Sequence, residues 1–336
     1  MKGIGRPISR PIGRRRALAM GAAVAAAPAG FASPAFSQGA FPDRSIRMVV
    51  GFPPGGSTDV AARMLASRMS ETLGQQVVVD NKPGVAGNIA SQIVADAKPD
   101  GYTLLVGNSN MGTVPALYDK LPYDPVKGLE PVAHFQTIPM ILVAPIGGAK
   151  NIKELIEMLR KEPGKYSYAT AGTGSNGHLM SYLFIQRAGG DALQVNYRGN
   201  APAMQDLLAG RHAFLIDTVA TSKGFLDANR ITLLGIGSEQ RLASLPDVPT
   251  VQEQAGFPFR VRTWSMLFAP AGTPRPIVDI LNAAANKAVA HPDFIEKTKG
   301  MGIELIQSTP DTAKAFYLGE MEFWAPIVKA SGIKVE

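Results

Sequence analysis

Residues 46–59 read Ile-Arg-Met-Val-Val-Gly-Phe-Pro-Pro-Gly-Gly-Ser-Thr-Asp, a β-prone run followed by a glycine-rich turn and the start of a helix. A second stretch of the same design lies at 166–178 and reads Tyr-Ser-Tyr-Ala-Thr-Ala-Gly-Thr-Gly-Ser-Asn-Gly-His. A glycine loop that leads into a helix presents unpaired backbone N–H groups and the positive end of the helix dipole. Two such loops, one in each half of the chain, predict a clamp that holds a small anionic ligand between two lobes.

Strands and helices are predicted to alternate around both loops. After the strand at 46–50, apolar residues recur at helical spacing over 59–73, and Gly74 is placed to end that helix. Such alternation indicates an α/β fold with a parallel sheet and right-handed crossovers. The other strands are predicted at 77–79, 102–106, 166–169, 193–196, 214–217 and 231–236, and the other helices at 88–95, 152–161, 178–187 and 202–209.

The C-terminal part predicts two long amphipathic helices, at 273–290 and 311–329, around a short strand at 303–306. Two apolar runs that end in proline, at 140–144 and 264–269, are predicted to carry the chain between lobes. Lobe I would then comprise residues 38–142 plus 265–336, and lobe II residues 143–264. Two crossings of this kind favour closure of the lobes about a hinge.

Residues 1–37 have the pattern of a cleaved signal peptide. They contain six basic residues, no acidic residue, an Ala-rich apolar run at 17–27 and small residues before a cleavage point after Ser37. The apolar run is shorter than the roughly 20 residues that a membrane span needs. Arg14-Arg15-Arg16 favours a twin-arginine signal, with a general secretory signal as the alternative. The expected location is the periplasm.

Charge and composition exclude several classes of function. The whole chain has a net charge of +7, but residues 1–37 hold six of the 34 Lys and Arg and none of the 27 Asp and Glu, which leaves 28 against 27. That balance gives no support for binding to nucleic acid or to a membrane surface. The chain contains no cysteine, which excludes disulfides, thiol catalysis and cysteine metal sites. The four histidines lack metal-ligand spacing, so no metal is expected.

The run Gly172-x-Gly174-x-x-Gly177 matches the dinucleotide fingerprint G-x-G-x-x-G. That fingerprint also requires an acidic residue at the end of the next strand, where this chain has Asn196-Tyr197-Arg198. The same loop geometry suits a carboxylate, and a tight turn without a ligand is the remaining alternative. Because the chain also lacks a G-x-S-x-G elbow, we expect a binding protein without catalytic residues or cofactors.

A third polar loop, 107–113, follows the strand predicted at 102–106. The carboxyl ends of parallel strands meet at one edge of a sheet, so this loop should emerge beside the first one. Ser109, Asn110 and Thr113 are therefore candidate donors to the ligand, with an ordinary turn as the alternative. Asp217, at the end of the strand at 214–217, is a candidate acceptor, with helix capping as its alternative. For His178, a helix-start role is favoured over contact with the ligand.

Several motifs in a specific order resemble the extracytoplasmic solute receptors of tripartite tricarboxylate transporters, the Bug-type receptors. They are Phe52-Pro-Pro-Gly-Gly-Ser-Thr-Asp59, Asn81-Lys-Pro-Gly-Val-Ala-Gly-Asn88, Lys98-Pro-Asp-Gly-Tyr-Thr-Leu-Leu105, Gly172-Thr-Gly-Ser175, Tyr197-Arg-Gly-Asn-Ala-Pro-Ala203 and Phe268-Ala-Pro-Ala-Gly-Thr-Pro274. The resemblance implies a two-lobed, type II periplasmic-binding-protein-like α/β fold, with the ligand in the cleft between the lobes. It also implies a monomer that delivers a small carboxylate (a di- or tricarboxylate, an acidic amino acid or an aromatic acid) to membrane permease subunits. The alternatives are a sensing protein of the same fold with a signalling partner and an exported enzyme.

The resemblance further implies which residues hold the ligand, mainly through backbone amides, hydroxyls and waters. On lobe I they are Phe52, Gly56, Ser57, Thr58, Ser109 and Asn110, and on lobe II they are Gly174, Ser175 and Asp217. One segment departs from the family's usual pattern: residues 108–113 read Asn-Ser-Asn-Met-Gly-Thr where a Thr/Ser-Gly-Thr-His type of segment is more common. Because this loop helps to shape the pocket, the identity of the ligand does not follow from the resemblance.

Overall fold

Ten strands form one mixed sheet in the computed structural model, which describes residues 41–334. The predicted signal peptide lies outside the described residues. The strands are β1 (Ile46–Val50), β2 (Val77–Asn81), β3 (Thr103–Asn108), β4 (Leu129–Pro145), β5 (Ser167–Thr170), β6 (Leu193–Asn196), β7 (Phe214–Thr218), β8 (Ile231–Ile236), β9 (Arg262–Pro270) and β10 (Glu304–Leu305).

Eleven α-helices cover the faces and edges of the sheet within the described part of the chain. They are α1 (Ser57–Leu73), α2 (Asn88–Ala95), α3 (Asn110–Leu117), α4 (Ile152–Lys161), α5 (Asn176–Ala188), α6 (Asn200–Leu208), α7 (Val219–Asp227), α8 (Val251–Ala255), α9 (Arg275–Val289), α10 (Pro292–Thr298) and α11 (Pro310–Ser331). As predicted, α1 ends at Gly74, which adopts the left-handed conformation and donates its N–H to Ser70. No helix among residues 41–334 is both long and apolar enough to cross a bilayer.

The sheet contains two parallel groups of three strands joined through antiparallel strands. In the first half β2, β1 and β3 are parallel, and in the second half β6, β5 and β7 are parallel. Strand β4 is antiparallel to β9 over its first part and to β7 and β8 over residues 140–145. The predicted α/β class and the parallel pairing beside both glycine loops are confirmed.

Hydrophobic clusters cover both faces of each half of the sheet. Ile46, Met48 and Leu65 belong to one cluster of the first half, and Phe184 and Phe214 belong to one of the second. Helix α11 joins the halves: Ala313 and Tyr317 pack in a first-half cluster, whereas Trp324, Ile327 and Val328 pack in the second-half cluster around β4 and α5. Together, β4, β9 and α11 connect the two halves.

Helices α7, α8 and α10 were not predicted from the sequence, and α3 and β4 differ from the sequence-based expectation. Residues 110–117 form helix α3 where a polar loop was predicted over 107–113, because Gly112 and Pro115 obscure its helical pattern. Strand β4 begins at Leu129, well before the apolar run at 140–144. Its first part contains Pro131 and Pro139 together with polar residues, which are atypical of a buried strand, but pairing with β9 accommodates them.

His134 is a buried histidine in β4. Its ring stacks on Phe316 with centroids 3.9 Å apart, and its Nε2 lies 3.1 Å from the carbonyl oxygen of Gln136 and 2.9 Å from the hydroxyl of Thr137. Burial lowers the pKa of His134 to about 4, and the positive charge of Arg262 acts in the same direction. The folded protein therefore holds this imidazole neutral at pH values where an exposed histidine is protonated.

We expect acidification from pH 6.5 to 4 to destabilise the fold by up to about 3 kcal/mol through His134 alone. In this window the unfolded chain takes up a proton that the folded chain does not, so stability falls as the pH falls and this contribution is constant above pH 6.5. Urea unfolding of the wild type and His134→Gln at pH 7 and pH 4.5 measures the effect. The variant should lose less stability between the two pH values, and an equal loss in both proteins would contradict the prediction.

Candidate functional site

The loop between β1 and α1 is fixed by a buried aspartate. Asp59 is 2% exposed, and its carboxylate accepts hydrogen bonds from the Gly55 N–H at 2.9 Å, Arg63 Nε at 2.9 Å and Asn81 Nδ2 at 2.8 Å. The hydrogen bond from Arg63 lowers the pKa of Asp59 to about 2 although burial opposes the shift. No described side chain caps α1, so its first N–H groups are open to an anion.

The loop after β3 lies beside the first loop, as the shared sheet edge predicts. Asn108 joins the two: its Nδ2 donates to Thr58 Oγ1 at 3.1 Å, while its Oδ1 accepts from the Asn110 N–H at 3.1 Å. Helix α3 therefore begins next to the N-terminus of α1. Ser109 precedes α3 but makes no capping bond itself; the first N–H of the helix, that of Asn110, is bound by Asn108.

The loop between β5 and α5 is held by its own histidine. Gly172 and Gly174 have φ values of 126° and 74°, which favour glycine. Ser175 caps α5 by accepting from the His178 N–H at 3.2 Å, and His178 Nδ1 accepts from the Gly174 N–H at 3.1 Å. Burial lowers the pKa of His178, which favours the neutral ring that accepts at Nδ1. His178 therefore orders the loop, in keeping with the helix-start role favoured from the sequence.

A cavity of about 210 Å³ lies between this loop and α3. Its lining residues come from both halves of the sheet: Ala86, Asn110, Thr113, Val114, Leu117, Tyr118, Ala171, Gly172, Thr173, Gly174 and Ser175. Pockets for drug-sized ligands typically have volumes of roughly 300–1,000 Å³. This cavity therefore suits a small molecule that touches both halves of the protein at once.

The lining combines hydrogen-bonding groups with an apolar wall. Thr113, Thr173 and Ser175 supply hydroxyls and Asn110 supplies an amide, while Val114 and Leu117 of α3 supply the apolar side. None of these eleven described residues is Lys, Arg or His. An anion bound here would be stabilised by backbone N–H groups, hydroxyls and helix N-termini, which bind carboxylates in the manner expected from the sequence.

Of the nine predicted site residues, three line the cavity, two lie near it and four lie apart from it. Asn110, Gly174 and Ser175 line the cavity. Ser109 adjoins the lining residue Asn110, and its Oγ accepts from Asn176 Nδ2 at 2.6 Å, whereas Thr58 is one step further away, bonded to Asn108.

The remaining four residues lie apart from the cavity lining. Phe52, Gly56 and Ser57 sit at the entry to α1, where Gly56 and Ser57 are exposed. Asp217 is buried, and its carboxylate accepts from Asn200 Nδ2 at 2.8 Å and from the Ser222 hydroxyl at 3.0 Å. Contact of the nine predicted residues with a ligand stays a prediction.

Sequence reasoning missed the apolar wall and Ala86. The spacing of Val114 and Leu117 is helical and could have indicated the wall, had 107–113 not been interpreted as a loop. A Cβ on Gly51 would lie 2.6 Å from the Cα of Gly87, so only glycine lets the segment around Ala86 approach β1 so closely. Ala86 itself has a φ of 54°, a conformation uncommon for residues other than glycine.

Comparison with known proteins identifies the family that the sequence motifs resemble. The family described as "Tripartite tricarboxylate transporter family receptor" matches residues 61–333. The protein BugT of Bordetella pertussis is 35% identical over 314 residues, which cover 92% of this chain and 96% of BugT. The predicted resemblance to Bug-type receptors is thus confirmed over nearly the whole chain.

Two solved structures with the same fold contain malate and adipate, respectively. MatC from Rhodopseudomonas palustris with bound malate is 33% identical, with a TM-score of 0.73 and coverage of 86% of this chain and 100% of MatC. The R. palustris protein Rpa4515 with adipate is 33% identical, with a TM-score of 0.76 and coverage of 88% and 99%. These likenesses confirm the expected periplasmic-binding-protein fold.

Proposed function

Because the chain belongs to the tripartite tricarboxylate transporter receptor family, we propose that it captures a small carboxylate in the cavity between α3 and the β5–α5 loop. The family consists of solute-binding receptors, so the protein is a receptor and not an enzyme. We further propose that it acts in the periplasm, as a monomer, and delivers its ligand to a membrane permease.

The cavity between the two halves is the observation that carries this proposal. Asn110 and Thr113 approach it from the first half, and Thr173, Gly174 and Ser175 approach it from the second. The N-termini of α3 and α5 meet where Asn176 bonds to Ser109, so the positive ends of two helix dipoles would act on one carboxylate ligand. A ligand that contacts both halves would stabilise the closed arrangement.

Closure would take place between the lobes predicted from the sequence, residues 38–142 plus 265–336 and residues 143–264. The connections available for a hinge are β4 and β9, each of which runs through the junction between the halves of the sheet, and helix α11. Hinge closure around a ligand of this kind occurs in periplasmic binding proteins in general. Closing buries the acid and presents one defined surface to a permease.

The class of ligand is supported by the chemistry of the lining and by the solved relatives. An uncharged, hydroxyl-rich lining suits a carboxylate held by N–H and O–H donors, and the wall of Val114 and Leu117 suits a carbon chain. MatC and Rpa4515 were solved with malate and adipate. We therefore place dicarboxylates first among the candidates, followed by acidic amino acids and aromatic acids.

A thermal-shift screen of residues 38–336 tests the proposal. The panel contains malate, adipate, citrate, glutamate, benzoate and NAD. An acid at 100 times its dissociation constant should stabilise the fold by about 2.7 kcal/mol, which raises the Tm by several degrees. The corresponding alcohols or amides, which lack the carboxylate charge, serve as matched ligands and should give little or no shift.

The same screen separates the competing functions. A shift with one or more acids and none with NAD supports the receptor. A response to NAD alone would contradict it and would assign the loop at 172–177 to a dinucleotide.

A further inference from the structure

Two serines that precede helices at the cavity behave differently. Ser175 caps α5 in the ordinary way, since its Oγ accepts from the backbone N–H of His178 three residues on. Ser109 occupies the equivalent position before α3, yet its Oγ makes no capping bond. It accepts instead from Asn176 Nδ2 at 2.6 Å.

This bond joins the two halves of the protein. Ser109 follows β3 of the first half and is 2% exposed, whereas Asn176 is the first residue of α5 in the second half. The neighbouring residues on either side, Asn110 and Ser175, both line the cavity. The bridge therefore forms directly behind the ligand cavity, and it can exist only while the halves are together.

We propose that Asn176 and Ser109 form a latch that holds the cleft closed around the cavity, an inference that rests on the proposed receptor function. Ser109 does not cap α3 because its backbone is helical (φ −56°, ψ −17°), and its hydroxyl accepts from Asn176 instead. When the halves separate, this bond is lost and both side chains bond to water.

The latch thus favours the closed arrangement, in which residues of both halves line the cavity. Asn176 acts as a positioning residue, because it holds Ser109 of the first half and is not among the residues that line the cavity. Loss of either partner should increase the open population of the ligand-free protein. A residue that merely contributed to the fold would lower stability without changing the distance between the halves.

The ligand-free protein provides the first test. The chain contains no cysteine, so Lys98→Cys in the first half and Lys153→Cys in the second give unique sites for spin labels. Both lysines are exposed. The doubly labelled protein should give mainly one short distance, and Asn176→Ala or Ser109→Ala should raise the share of a longer distance roughly two- to tenfold, as expected for one hydrogen bond.

Ser109→Thr is the matched control for this measurement, because it keeps the hydroxyl. Its distance distribution should stay compact. Unchanged distributions in both alanine variants would overturn the latch, as would opening in Ser109→Thr equal to that in Ser109→Ala.

Binding of malate and adipate provides the second test. If the two side chains act as one latch, the double variant should bind no more weakly than either single variant, with each single variant weakened roughly two- to tenfold. If the losses of affinity of the two single variants multiply in the double variant, the residues act separately and the latch is overturned. If neither acid binds the wild type, the receptor proposal fails for these ligands, while the distances in the ligand-free protein still decide on the latch.

Discussion

Replacing Gly174 with valine should lower the affinity for the bound acid roughly 100-fold while the protein remains folded. Gly174 has a φ of 74°, which a β-branched side chain adopts only with strain, and its N–H donates to His178. Relief of that strain would rotate the loop away from α3. Because Thr173 and Ser175 line the cavity on either side, both of their hydroxyls would be displaced.

Calorimetric titration with the acid that gives the largest thermal shift measures this loss, and circular dichroism confirms that the variant is folded. Gly177→Ala is the matched control in the same segment. An added Cβ at Gly177 meets no described atom within 4 Å, and Gly177 lies inside α5, where alanine is favourable. Affinity of the valine variant equal to that of the wild type would exclude this loop from the site.

Replacing Glu320 with alanine should cost about 3–5 kcal/mol of folding free energy. Glu320 is a buried carboxylate in α11 that accepts from Arg262 Nη2 at 2.6 Å and from Trp264 Nε1 at 3.1 Å. The Arg262 guanidinium also lies over the ring of Phe316, 4.7 Å from its centroid. Removing the carboxylate would leave a largely buried guanidinium and an indole N–H without their partner, at the point where α11 passes between the halves.

Urea unfolding followed by tryptophan fluorescence measures this effect, since Trp264 is part of the cluster. Glu157→Ala is the matched control: Glu157 pairs with Lys161 within a helix, but their side chains are 65% and 74% exposed. A solvated ion pair of this kind contributes little to folding stability, so the free energy of unfolding of Glu157→Ala should equal that of the wild type within the scatter of the measurement. Equal losses in the two variants would show that the buried cluster does not stabilise the connection between the halves.

Local patterns were sufficient to predict the elements that carry the glycine loops. The apolar spacing of Leu65 and Met69 and the position of Gly74 predicted α1 to within two residues. Elements that pair with segments far away in the sequence were harder to predict. The first part of β4 contains Pro131, His134 and Gln136, and it becomes a strand because β9 pairs with it across more than 120 residues.

The site residues also divide into those that the sequence predicted and those that depend on partners far away in the chain. Asn110 was predicted because the polar loop at the end of β3 should emerge beside the first glycine loop, and Gly174 and Ser175 were implied by the family resemblance; all three line the cavity. The bridge from Asn176 to Ser109 depends on how the two halves meet, which no local pattern of the sequence specifies. Asp217 was predicted from its place at the end of β7, and the structure gives its carboxylate two partners within the second half.

Hydrogen exchange with and without the acid that gives the largest thermal shift tests the central claim, that one small carboxylate is held between α3 and the β5–α5 loop. The amides of residues 109–118 and of 171–176 should both become protected, while β2, at the edge of the sheet, should exchange as before. Protection of only one of the two segments, or of neither, would contradict a ligand held between the two halves.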